Sequence, residues 1–113
     1  MRVFRVLEGE ALATRESPVG TVGAIWSGEG IELQWVSKAD EEVDPGWFES
    51  QSVDVLVVLS GLLRVEFERQ DLDDRTLEPG YALILEAGTR CRAYRWPREA
   101  TEATVFLAAY PQP

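Results

Sequence analysis

The stretch GYALILEAGTRCRAYRW, residues 80–96, decides the reading of the fold. Tyr81–Leu85 is a short β-rich run, Glu86–Gly88 supplies a turn, and Cys91–Trp96 is a second run. Side chains alternate across a strand, so Cys91, Ala93 and Arg95 share one face of that second run. Arg90, Arg92, Tyr94 and Trp96 share the other.

The same pattern recurs in both directions along the chain. In Leu62–Arg69, Leu63, Val65 and Phe67 alternate with Arg64, Glu66 and Glu68, which describes a strand with one wet face. Val55–Leu59 is apolar on both faces, so it is expected to be covered on both sides. Further strands are read at Val3–Leu7, Thr21–Ser27, Ile31–Ser37, Val53–Ser60, Thr76–Leu77 and Ala103–Tyr110. Gly, Pro and acidic turns separate them, at 27–30, 38–46, 60–61, 70–74, 78–80, 86–88 and 96–100. Helical periodicity is nearly absent, and no repeat or linker divides the chain. The expectation is one all-β domain over residues 1–113, a sandwich or barrel.

Composition narrows the function. Asp and Glu outnumber Lys and Arg 20 to 11, a net charge of −9, which argues against nucleic acid and acidic membrane surfaces as partners. The longest apolar run, VLVVLSGLL, is too short to span a bilayer, and the charged start MRVFRVLEGEALA does not resemble a signal peptide. With a single cysteine there is no intramolecular disulfide, so a soluble cytoplasmic protein is expected. The chain has no histidine at all, which removes the commonest general base, metal ligand and nucleophile activator.

Two segments carry a family resemblance. Trp47–Gly61, followed by LLRVEFE, resembles the first conserved motif of the cupin superfamily, and Gly80–Arg95 resembles the second. The family pattern runs G-x5-H-x-H-x3,4-E-x6-G and then G-x5-P-x-G-x2-H-x3-N. Gly61 matches the closing glycine of the first motif, and Asp54 falls where the family has its glutamate. The two histidine positions fall on Trp47 and Glu49 or on Phe48 and Ser50, according to the spacing; Gly46 is too close to be the opening glycine. In the second motif Gly80 and Gly88 match, Glu86 replaces proline, Cys91 replaces histidine and Arg95 replaces asparagine. The resemblance implies a cupin-type jelly-roll β-barrel that keeps its turn glycines and has lost or exchanged its metal ligands. It also implies a homodimer.

By the same resemblance, the motif positions project into the barrel. Trp47 or Phe48, Glu49, Asp54, Cys91 and Arg95 then line a small-molecule site, with Trp35 beside them. Cys91 reads either as a thiolate ligand grouped with Glu49 and Asp54, or as a small buried residue filling the space of an imidazole; the second is favoured. Asp54 and Arg95 read either as a structural pair, since a buried carboxylate needs a partner, or as a seat that orients an anionic ligand at Arg95; the first is favoured. Glu49 with Asp54 also reads as an acid–base pair. The acidic runs at 39–44 and 71–74 lack calcium-loop spacing and read as solvated turns. Tyr94 and Trp96, with Phe106 or Tyr110, are expected to form an apolar patch for a second subunit.

The leading expectation is a barrel that binds a small molecule as a sensor, carrier or accessory domain, with no metal or other cofactor. Two alternatives stay open. One is an enzyme, either isomerase-, epimerase- or cyclase-like or using a non-histidine metal site. The other is a structural or protein-interaction module.

Overall fold

The computed structural model describes residues 3, 6, 12–17, 20–39 and 46–112. These residues form ten strands: β1 Thr14–Ser17, β2 Gly20–Gly28, β3 Ile31–Lys38, β4 Phe48–Glu49, β5 Asp54–Ser60, β6 Leu62–Phe67, β7 Arg75–Leu77, β8 Ala82–Leu85, β9 Arg90–Trp96 and β10 Thr104–Pro111. There is no helix among them. None is therefore long and apolar enough to cross a membrane.

The strands make two antiparallel sheets, a six-stranded one in the order β1-β2-β3-β10-β5-β8 and a four-stranded one in the order β4-β9-β6-β7. The all-β reading holds, and the stretch at 80–96 is a strand, a turn and a strand. Its two strands lie in different sheets, so the turn between them is a corner rather than a hairpin.

The main core fills the space between the sheets. Val36, Val58 and Phe106 reach it from the larger sheet, and Leu63, Val65, Cys91 and Ala93 from the smaller. Leu63 and Val65 have no exposed surface, as the alternation in Leu62–Arg69 predicts. The larger sheet is also covered behind, where Ile25, Trp35 and Val105 pack with Val6 and Leu12.

Two strands carry no signal in the sequence. β1 is the polar run TRES and β4 has only two residues, so neither shows an apolar alternation. Of the strand read at Val3–Leu7, only Val3 and Val6 are described, and neither is in a strand; most of the turn at 38–46 also lies outside the described residues.

Candidate functional site

A cavity of about 350 Å³ opens between the two sheets. Its floor follows from strand parity. Gln34, Val36 and Lys38 on β3 point into it, as do Phe106, Ala108 and Tyr110 on β10 and Asp54 and Leu56 on β5. The facing sheet contributes Phe48 from β4 and Cys91 and Ala93 from β9, with Phe48 directly opposite Cys91 in the register. Gln51, Ser52 and Pro111 complete the wall.

Asp54 is held at one end. Its register partner on β8 is Leu85, and the chain before it is tied down by Ser50. Ser50 donates its backbone N–H to Thr89 O at 3.0 Å, and Ser50 O accepts from Gly88 N–H at 2.8 Å. The corner between β8 and β9 therefore fixes the approach to β5. Ser50 Oγ, itself buried, donates a short hydrogen bond to Asp54 Oδ2. Asp54 is 8% exposed.

Tyr110 stands beside it. The pair Ala109–Val55 continues by one residue to place Tyr110 next to Asp54, while Glu32 lies opposite Tyr110 on β3. Burial, and then the negative charges of Glu32 and Asp54, push the Tyr110 phenol above its ordinary value of 10; Arg15 opposes them weakly. The hydroxyl stays protonated and is a donor at neutral pH.

Of the residues singled out in the sequence, the structure brings Asp54 and Cys91 to the cavity wall, with Phe48 as the aromatic rather than Trp47. Trp35 has the opposite parity to Val36 and packs into the cluster behind the sheet. Trp47 lies under the guanidinium of Arg92, 4.4 Å from the ring centroid. Glu49 is exposed, with Arg90 Nε at 3.9 Å. Arg95 does share the inner face of β9 but sits beyond the cavity, donating to Ala39 O at 2.5 Å and Arg98 O at 2.6 Å.

Four expected groupings are corrected by these positions. Asp54 and Arg95 are not paired, because Ser50 serves the one and backbone carbonyls the other. Glu49 and Asp54 do not form an acid–base pair, since Glu49 points away from the cavity that Asp54 faces. Among the described residues no three Cys, Asp or Glu side chains come together to hold a metal, so the Glu49–Asp54–Cys91 grouping is not assembled. The patch joining Tyr94 and Trp96 to Phe106 or Tyr110 does not form either. Phe106 and Tyr110 face inward, whereas Tyr94 and Trp96 stack edge to face at 6.2 Å on the outer side of the smaller sheet.

Gln34 and Lys38 were missed in the sequence, and Tyr110 was read as part of an outer patch rather than of the cavity. The signal for the first two was present in the alternation of Leu33 and Trp35 with Gln34 and Lys38. That pattern places the polar side in solvent when the sheet has one buried face, and here both faces are covered.

No protein-family model matches the chain, and no curated protein matches it in sequence. Solved structures do match. A Ralstonia eutropha JMP134 protein called a mannose-6-phosphate isomerase superposes with a TM-score of 0.76 at 20% identity, over 100% of both chains. An RmlC-like cupin with a double-stranded β-helix fold, from Methanocaldococcus jannaschii, gives 0.67 at 13% identity, over 97% of this chain and 86% of that one. A cupin superfamily protein from Desulfitobacterium hafniense DCB-2 gives 0.65 at 16% identity, over 81% and 76%. With its two facing antiparallel sheets and its turn glycines at 61, 80 and 88, the chain has the cupin fold.

Proposed function

We propose that this protein binds a small organic molecule inside its barrel, as a sensor, carrier or accessory domain. The observation that carries this reading is the cavity of about 350 Å³. Leu56, Ala93, Phe106 and Ala108 make it apolar, and Asp54, Gln34, Gln51 and Tyr110 place a few polar groups around it. That is the usual chemistry of a small-molecule site, at the small end of the size range.

The isomerase name attached to the Ralstonia protein does not lead the reading. A chain without histidine has no imidazole base, and Glu49 and Asp54 are not assembled as a pair. The test is a thermal-shift screen against sugars, small organic acids and aromatics, run beside Ala108→Trp, which fills the cavity. At least one class is expected to raise the Tm of the parent and to leave the variant unmoved. No shift with any class, or a shift that survives Ala108→Trp, would sink the idea.

The proposal includes a cytoplasmic homodimer. Its support is the outer face of the larger sheet near β8, where Val53, Ala82 and Ile84 are exposed and Val55 and Val57 half-buried. Ile84 pairs with Val55 across β5 and β8, so the patch is continuous. Among the described residues β8 is also the edge of its sheet, and an edge strand offers backbone groups for pairing. A second copy of the same apolar face would cover both.

A further inference from the structure

We infer that the cavity takes an organic cation with a linear apolar body, of the primary alkylamine class, its ammonium group seated on Asp54. This rests on the cavity being a binding site and names what enters it.

The argument starts from a missing counter-charge. A carboxylate removed from water is ordinarily paired with a cation or saturated with hydrogen bonds. Asp54 is 8% exposed, and among the described residues its one hydrogen-bond partner is the neutral hydroxyl of Ser50. The ion pairs seen between described residues involve Arg69, Arg90 and Arg92, none of which reaches Asp54. Asp54 lines the cavity, and the Ser50 bond engages only its Oδ2.

The cations near the cavity do not fill the role. Lys38 lines it, but Thr104 is opposite Lys38 and Tyr110 is opposite Glu32, so Lys38 stands six residues along β3 from the Asp54 row. At about 3.3 Å per residue that is roughly 20 Å, beyond the reach of a lysine side chain. Arg95 is committed to two carbonyls. Arg15 lies on the exposed strand β1.

The surroundings of Asp54 add to the negative end. Glu32 and Asp54 both act on Tyr110, and their charges help to raise its phenol. Gln34 and Gln51 supply amide oxygens that can accept from an ammonium group. A metal ion asks for three or more ligating groups, which are not gathered here among the described residues. An ammonium group asks only for acceptors around it. Away from Asp54 the wall turns apolar at Leu56, Ala108 and Phe106, and the lining reaches from Gln34 to Lys38 on β3 and from Phe106 to Pro111 on β10. An unbranched alkyl chain lies along such a path.

Three probes of matched shape test this on the full chain: hexylammonium, 1-hexanol and hexanoate, followed by protein-observed NMR titration at low salt. Hexylammonium is expected to bind at least about tenfold tighter than 1-hexanol, with hexanoate weakest, because a charge-assisted hydrogen bond is stronger than a neutral one. Contacts between the amine α-methylene and the Tyr110 ring are expected in nuclear Overhauser spectra. Asp54→Asn keeps the shape and is expected to erase the preference, leaving amine and alcohol alike.

Equal or tighter binding of the alcohol or the acid at cavity residues overturns the cation and leaves the cavity as a binding site. Failure of all three probes overturns both. An amine preference that persists in folded Asp54→Asn, or that comes without contacts to Tyr110, reflects attraction to a chain of net charge −9 and overturns the assignment. The Tyr110 contacts are read on the unaltered chain, so they decide the matter even if Asp54→Asn does not fold.

Discussion

Glu66 shows how a single side chain on the wet face of β6 can matter to stability. Its Oε1 accepts from the Tyr94 hydroxyl at 2.7 Å and its Oε2 from Arg92 Nε at 2.9 Å. The Tyr94 bond, opposed by partial burial and assisted by Arg92, holds the carboxyl below its ordinary 4.5. The folded state therefore binds fewer protons at this site than the unfolded chain. Its contribution is complete above pH 4.5 and is lost as pH falls through the lowered folded value. Partial exposure of the cluster limits the effect to about 1 kcal/mol. Glu66→Gln is expected to lose that amount at pH 7 in urea unfolding, and to converge with the parent as the pH falls through that lowered value. A constant difference across that range would show that the charge is not the cause. Single residues were also the least legible in the sequence. Cys91 read correctly as a buried inner-face residue, at 4% exposure, because its neighbours alternate cleanly. Trp35 did not, because apolar side chains on both sides of β3 hide which face looks inward.

Among the elements, the corner from β5 in the larger sheet to β6 in the smaller depends on Gly61. Its φ is +74°, and a Cβ there would lie 2.9 Å from Thr104 Oγ1 and 3.0 Å from Thr104 Cα. Thr104 cannot give way easily, being 1% exposed and donating to Leu62 O at 2.6 Å. Gly61→Ala combines backbone strain with this contact, so a loss of about 2 kcal/mol or more is expected in denaturant unfolding. At Gly88, φ is +85° but the space is open, so Gly88→Ala is expected to cost only about 1 kcal/mol. Equal losses at the two sites would remove the role given to Thr104. The turn glycines were visible in the sequence because positive φ leaves few substitutes. The strands they join were visible through alternation and β-branched content. β1 and β4 were not, since a polar run of four and a pair of residues become strands only when a neighbour offers its hydrogen bonds.

For the molecule as a whole, two terms oppose each other in self-association. The apolar face of Val53, Val55, Val57, Ala82 and Ile84 favours burial against a second copy. The net charge of −9 on each copy opposes it at long range. Salt weakens the second term and leaves the first nearly intact, because the screening length falls from about 30 Å at 0.01 M to about 8 Å at 0.15 M. The dimer is therefore expected to tighten as salt is added, the reverse of an interface built on ion pairs. Sedimentation equilibrium should find a mass twice the 12.7 kDa of the chain at 0.15 M salt, with more monomer at 0.01 M. Ile84 is 62% exposed, so Ile84→Glu places a charge in the middle of the patch without disturbing the core. It is expected to sediment at 12.7 kDa with an unchanged circular dichroism spectrum. A parent that stays monomeric at both salt concentrations would remove the dimer. A dimer that survives Ile84→Glu would move the interface away from β8.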